Sequence, residues 1–176
     1  MPEPSKKSHP LASIGGIAGA IGGWTLSQYC GASIWIPGAA IILFLVLFAK
    51  SPVRPKHFAG AIATTAAHVI WFVVGSAITG MWSATALDII ALSAGIAWLW
   101  WRPNLSSVLF LGLVQLASLL FNAYMISSAP FGSAQHRALT AHCVFRIMAI
   151  ICLIAGYLRM RRELSSPPPV PTVATS

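Results

Sequence analysis

The residues of this chain that could do chemistry are ionisable and hydrogen-bonding side chains inside apolar segments. From Ala138 to Leu158 the sequence is long and apolar enough to cross a bilayer, yet it contains His142 and Arg146. These two residues are four apart, so they share one face of a helix. An arginine inside a span costs about 3 kcal/mol or more unless it meets a carboxylate, backbone carbonyls or water. His142 and Arg146 are therefore candidates for a functional site.

Asp88 is the partner that we predict for Arg146. The chain has only three acidic residues, and Asp88 lies inside another apolar segment. It falls about 7 Å below the outer end of that segment and Arg146 about 12 Å below the end of its own, a difference that an arginine side chain can bridge. The sequence thus predicts an ion pair in the outer half of a helix bundle. In the alternative interpretation Asp88 is a helix-end carboxylate stabilised by the helix dipole and by water.

Other polar side chains recur at helical spacing in the apolar segments. One stripe contains Gln115, Ser118 and Asn122, and a second contains Thr64, Thr65 and His68. Threonines of this kind often bond back to helix carbonyls, and a single histidine is more often an interhelical hydrogen-bond partner than a ligand. We nevertheless expect a polar cluster in the middle and outer half of the bundle. Its predicted solute-binding residues are Arg146, Asp88, His142, His68, Asn122 and Gln115.

Two histidines inside spans could also be the axial ligands of a b-type haem. This would require His68 and His142 to lie at similar depth and to face each other across a cavity. The apolar segments place His68 near mid-membrane and His142 about four residues from the outer end, an offset of roughly 7 Å. The sequence therefore favours a protein without a cofactor.

Composition excludes most soluble classes. The 176 residues include 11 Lys plus Arg and 3 Asp plus Glu, 57% are hydrophobic, and the mean hydropathy is +0.78. A soluble domain has about a quarter of its residues charged, so the apolar surface must face lipid. The net charge of +8 collects at the ends of apolar segments, where it sets orientation and meets headgroups. We therefore expect the lipid bilayer as a partner and no nucleic acid.

Catalytic signatures are also missing from the sequence. It has no nucleophile elbow, zinc-protease motif, phosphate-binding loop or dinucleotide fingerprint, and its three acidic residues offer few metal ligands. Cys30, Cys143 and Cys152 have no metal-binding or redox spacing and resemble small buried hydrophobes. We expect neither a bound metal nor catalysis of the usual kinds.

The polar residues must be positioned by an all-α membrane bundle of about six helices, with five as the alternative. We predict a segment 1–10, a transmembrane bundle over 11–163 and a disordered, proline-rich tail over 164–176. Asn104 and the serine- and glycine-rich stretch 126–135 mark turns. The predicted helices are 11–29, 34–49, 58–79, 83–101, 105–125 and a sixth that runs from about 136 to the arginines near 160.

The first 49 residues allow two interpretations. In one, helices 11–29 and 34–49 form a hairpin, with Ser33 as N-cap and Pro37 in the first turn. In the other, 24–49 is one kinked span and 11–23 a half-buried or re-entrant segment. Gly15, Gly19 and Gly23 form a small-residue face that predicts close helix contact, either within the monomer or with a second copy or larger complex.

Positive charge orients the predicted bundle. With the hairpin, the Lys and Arg clusters fall on one side, and Arg137 is the exception. The sequence thus predicts a multi-pass protein of the cytoplasmic, or inner, membrane with both termini in the cytoplasm. The Lys6 and Lys7 pair precedes a glycine-rich apolar run without a good cleavage site, so we expect this run to be retained.

Three functions from different classes fit these observations. The first is binding or conduction of a small polar or anionic solute through an outward-facing polar cavity, in which Arg146 supplies charge and Asp88 holds it. The second is a structural or assembly subunit of a larger membrane complex. The third is the haem protein. Polar groups that converge on a cavity favour the first, whereas polar groups that only satisfy one another favour the second.

Overall fold

The structure, a computed structural model, describes residues 35–50 and 55–165, which form five α-helices. The first predicted helix, the glycine face and residues 166–176 lie outside the described residues, so the predicted count of six is not tested. The all-α class is confirmed for the described part. The helices are α1 (Trp35–Lys50), α2 (Ala59–Thr79), α3 (Trp82–Trp101), α4 (Leu105–Ser128) and α5 (Ala134–Ser165).

Local sequence explains where several helices begin and end. Asn104 caps α4, because its side chain accepts a hydrogen bond from the Ser107 amide at 2.9 Å while the Ser107 hydroxyl accepts one from the Asn104 amide at 3.2 Å. Gly80 ends α2 in the left-handed conformation, with φ of 72°. These signals place the helix ends next to short turns, which makes successive helices antiparallel neighbours.

Helices α2 to α5 form an up-and-down ring. Each packs against its two neighbours, α5 closes the ring against α2, and α1 packs on the outside of α2. Helices α3 and α5 therefore stand at opposite corners, as do α2 and α4. At one end of the ring, which we call the basic end, Lys56 forms a 2.6 Å ion pair with Glu163, Arg102 follows the last residue of α3, and Arg162 lies in the last turn of α5. The other end, with the turns at Gly80 and Gly132, is called the turn end.

The surface of the ring is apolar. In the described part, α2, α4 and α5 are long and apolar enough to cross a membrane, and α1 and residues 85–101 are shorter apolar helices. Large side chains such as Ile78, Leu113 and Phe121 are more than 60% exposed. A soluble protein would not leave so many apolar groups in water. These features are consistent with a helical membrane protein.

Three helix boundaries differ from the sequence prediction by two or more residues, and one difference affects the site. Helix α4 extends to Ser128 and α5 begins at Ala134, so the connection is five residues rather than ten. The Ser133 hydroxyl accepts a hydrogen bond from the His136 amide at 3.1 Å, which caps α5 earlier than predicted. With this start His142 lies eight residues after Ala134, whereas the sequence placed it about four residues from the outer end. At its other end α5 includes Leu164 and Ser165, which were predicted to belong to the tail.

Candidate functional site

Arg146 is at the centre of the ring and has no exposed surface. Its Nη2 lies 3.0 Å from Oδ2 of Asp88 on α3, and its Nη1 donates a hydrogen bond of 3.1 Å to Oε1 of Gln115 on α4. The ion pair predicted from the sequence is therefore present. A buried guanidinium needs such partners because its desolvation would otherwise leave an uncompensated charge.

Asp88 is held by a second helix besides its own. The Ser118 hydroxyl on α4 donates a 2.9 Å hydrogen bond to Oδ1, and the carboxylate side chain keeps 29% of its surface exposed. It lies in the second turn of α3, toward the turn end. Asp88 is thus the exposed part of the ion pair.

Gln115 extends the network to the fourth helix. It is fully buried, accepts from Arg146 and donates through Nε2 to Oγ1 of Thr65 on α2 at 3.2 Å. Arg146 and Asp88 join the opposite corners α5 and α3, and Gln115 and Thr65 join the opposite corners α4 and α2. We call these five residues the polar cluster: Thr65, Asp88, Gln115, Ser118 and Arg146.

The cluster corrects one expectation about packing. From chain order alone, α3 and α5 are both joined to α4, so they would be expected to flank it and touch. They do flank it, but α3 and α5 are not among the closely packed helix pairs of the described part. Their contact is made by the side chains across the middle of the ring, because an arginine is long enough to span that distance.

One edge of the Arg146 guanidinium is not used in hydrogen bonding. Nε and Nη2 share this edge, and neither has a hydrogen-bond partner among the described residues. The 3.0 Å approach of Nη2 to Asp88 meets the distance of an ion pair but not hydrogen-bond geometry. Adjacent N–H groups of this kind form the two-pronged donor that matches a carboxylate or similar oxyanion. The buried cluster therefore leaves donors of a charged group without an acceptor in good hydrogen-bond geometry.

His68 and His142 form a pair next to the polar cluster. Nε2 of His68 and Nδ1 of His142 are 2.8 Å apart, and the ring centroids are 5.0 Å apart. The predicted offset of roughly 7 Å in depth is wrong, since α5 begins at Ala134 and carries His142 to the level of His68. Because the rings touch, they cannot in this arrangement lie on opposite faces of one haem.

Aromatic rings surround the histidine pair. The Phe72 ring is nearly parallel to both imidazoles, with centroids 4.7 Å from each, and Trp71 lies 4.7 Å from His142. Phe72 also receives the Arg146 guanidinium at 5.8 Å, within the range of a cation–π contact. It was not among the predicted site residues, although it lies four residues from His68 and so shares its helix face.

The six predicted site residues are brought together to different degrees. Arg146, Asp88 and Gln115 are in direct contact, and His68 and His142 contact each other. Asn122 is 9% exposed, and its Nδ2 has no hydrogen-bond partner in the described part of the chain. It lies seven residues from Gln115 on the same helix face, about 10 Å closer to the turn end. Whether any of them binds a solute stays a prediction.

The described residues form an apolar groove that is separate from the polar cluster. Within 35–50 and 55–165, no three His, Cys, Asp or Glu side chains are grouped as metal ligands. A groove of about 370 Å³ lies between α1, α2 and α3, and it is lined by apolar side chains such as Phe44, Ile96 and Trp100. Arg146 and Asp88 do not line this groove. The predicted polar cavity is therefore not this groove.

Comparison with known proteins gives no relative for the chain. No protein-family model matches it, and neither the curated proteins nor the solved structures contain a significant match. Function must therefore be inferred from the geometry of the polar cluster.

The first prediction concerns Gln115, which links the charge pair to the remaining helix. Replacing it by leucine leaves Nη1 of Arg146 and the Thr65 hydroxyl without a partner. We expect Gln115→Leu to lower the free energy of unfolding by about 2–4 kcal/mol, because loss of a hydrogen bond to a buried charged group costs more than loss of one between neutral groups. Thermal or denaturant unfolding in a mild detergent measures the difference.

The matched control is Gln135→Leu, because Gln135 is exposed in the first turn of α5. Its effect should stay within about 0.5 kcal/mol. Equal stability of the two variants would mean that Gln115 does not support Arg146.

Proposed function

We propose that this chain is a multi-pass protein of the cytoplasmic membrane that binds or conducts a small anionic solute at the guanidinium of Arg146. The observation that supports this is the buried edge formed by Nε and Nη2, whose N–H groups make no hydrogen bond of good geometry within the described residues, although Oδ2 of Asp88 lies 3.0 Å from Nη2. Buried donors of charged groups are costly to leave unpaired. A ligand that supplies acceptors at this edge would remove that cost.

The geometry of the edge favours a planar oxyanion. Two parallel N–H donors bind two oxygens of one carboxylate, whereas a lysine would act as a single point charge. Asn122 adds one more donor toward the turn end. We therefore propose small carboxylates as the solute class, with other planar oxyanions such as nitrate as mimics.

Exposure of Asp88 favours entry from the turn end. Asp88 is partly exposed and is six residues from the start of α3, while Arg146 lies behind it with no exposed surface. A solute that approaches from this end would meet Asn122 before Arg146. Because the basic end carries most of the described Lys and Arg side chains, with Arg137 as the exception at the turn end, the positive-inside rule favours the cytoplasm for the basic end and the outside for the turn end.

The second prediction tests this orientation. On a background free of native cysteines, Ser133→Cys at the turn end should react with an impermeant maleimide added to intact cells. Ser165→Cys at the basic end should react only after the membrane is permeabilised, since it follows a cluster of arginines. The opposite labelling pattern would mean that the basic end faces the outside and that the predicted orientation is wrong.

The third prediction tests solute binding directly. Acetate at about ten times its Kd should raise the unfolding free energy of the purified chain by about 1.4 kcal/mol. Arg146→Lys keeps the charge but removes the two-pronged edge, so acetate should stabilise this variant much less. Thermal unfolding at constant ionic strength, with sodium chloride as the reference salt, provides the measurement.

Arg102→Lys is the matched control, because Arg102 is exposed at the basic end. This variant should keep the full response to acetate. If Arg146→Lys responds as strongly as the parent, the guanidinium edge does not bind the solute.

A second candidate function is a structural subunit of a larger membrane complex. It is favoured by the contacts within the cluster, since Gln115 uses both Thr65 and Arg146 and since Asp88 accepts from Ser118. In that case the cluster only fixes the order of the helices. A stable chain that responds to neither acetate nor nitrate would support this candidate over solute binding.

A further inference from the structure

We propose that Asp88 is the proton acceptor of this site, and that its protonation releases Arg146 to the solute, so that anion binding and proton uptake occur together. The inference rests on the proposed function and adds a coupling ion to it. It follows from the position of one nitrogen of Arg146, Nη2, which can bind either Asp88 or a solute.

Nη2 of Arg146 belongs both to the ion pair and to the open edge. It lies 3.0 Å from Oδ2 of Asp88, and together with Nε it forms the edge that matches an oxyanion. An oxyanion on this edge would come close to the Asp88 carboxylate. Two anions that share one buried cation repel each other, and such pairs favour protonation of one member. The solute and the ionised Asp88 are therefore competitors for Arg146.

The surroundings of Asp88 can accommodate the added proton. The Ser118 hydroxyl, 2.9 Å from Oδ1, donates to the ionised carboxylate and can rotate to accept from a protonated one. Because 29% of the Asp88 side chain is exposed, a proton from solvent at the turn end can reach it. One anion and one proton together leave the net charge of the bundle unchanged, which avoids the cost of a new charge in a medium of low dielectric constant.

The other titratable groups near Asp88 are less suited to this role. On α5 they are Arg146, His142 and Cys143, with His136 and Arg137 in the first turns of the helix, and on α2 the group is His68. Helix α4 contributes the hydroxyl of Ser118 and the amide of Asn122, which do not titrate. The two site histidines are hydrogen-bonded to each other and packed against Phe72, whereas Asp88 lies 3.0 Å from Nη2 on the open edge of Arg146.

Nitrate is the probe for this coupling, because it is a planar oxyanion that stays ionised over the whole pH range. The affinity of the purified chain for nitrate is measured by calorimetry in detergent between about pH 6 and about pH 8. For uptake of one proton per anion, the apparent Kd should rise by about tenfold for each pH unit. Addition of nitrate to a weakly buffered sample should also consume about one proton per anion bound.

Asp88→Asn is the decisive variant. It keeps the shape of the side chain and removes both the competing charge and the proton acceptor. Its nitrate Kd should be independent of pH, and at about pH 8 it should be at least about tenfold lower than that of the parent. Glu163→Gln, which removes the exposed carboxylate at the basic end, should keep the parent's pH dependence.

Ser118→Ala provides a second test in case Asp88→Asn does not fold. Without the hydroxyl, the ionised carboxylate loses a donor, so nitrate binding should extend to higher pH. Nitrate binding by the parent that does not change with pH would overturn the coupling but leave the proposed function in place. A dependence lost in His142→Gln and kept in Asp88→Asn would assign the proton to the histidine pair and also overturn it. No binding of nitrate or acetate at any pH would overturn both.

Discussion

The structure depends on the burial of one arginine in an apolar ring of four helices. A guanidinium without solvent contact loses several kcal/mol of hydration, which only a carboxylate and well-placed acceptors can offset. Arg146 obtains these from two other helices, through Asp88 on α3 and Gln115 on α4. Each helix of the ring contributes at least one polar atom to the network. The contacts that hold the buried charge therefore also fix the order of the helices.

The unpaired polar atoms of the site are the reason why we propose a binding role for the cluster in addition to a structural one. A network built only for stability would leave few buried donors unpaired. In this one, Nε and Nη2 of Arg146, Nδ1 of His68 and Nδ2 of Asn122 have no hydrogen-bond partner in the described part. The two unpaired nitrogens of Arg146 lie beside the one carboxylate of the cluster, which is itself partly exposed. The combination favours a site that is completed by an acceptor from solution.

Several features of this site could be predicted from the sequence for simple physical reasons. Asp88 could be matched to Arg146 because it is the one acidic residue inside an apolar segment and because both fall in the outer half of their helices. Gln115 was identified because it recurs with Ser118 and Asn122 at helical spacing. The end of α2, the end of α3 and the start of α4 follow from glycine, proline and asparagine at the turns.

Other features needed the three-dimensional structure. The start of α5 depends on whether the Ser133 hydroxyl caps it, and the serine- and glycine-rich connection offers several equivalent caps. With this start His142 lies eight residues after Ala134, and its ring contacts that of His68. The pairing of Gln115 with Thr65 requires knowledge of which helices stand at opposite corners, and a list of apolar segments does not contain that order. The glycine face at 15–23 lies outside the described residues.

A double-mutant cycle on Asp88 and Arg146 tests the central claim most directly. If each depends on the other, Asp88→Asn and Arg146→Gln should each cost about 3–5 kcal/mol of unfolding free energy, less if the site is hydrated. The double variant should recover part of this, with a coupling energy of at least about 1.5 kcal/mol. The same cycle on the exposed Lys56 and Glu163 pair should give less than about 1 kcal/mol. A coupling energy near zero for Asp88 and Arg146 would contradict the account, because it would mean that Arg146 is held by other groups.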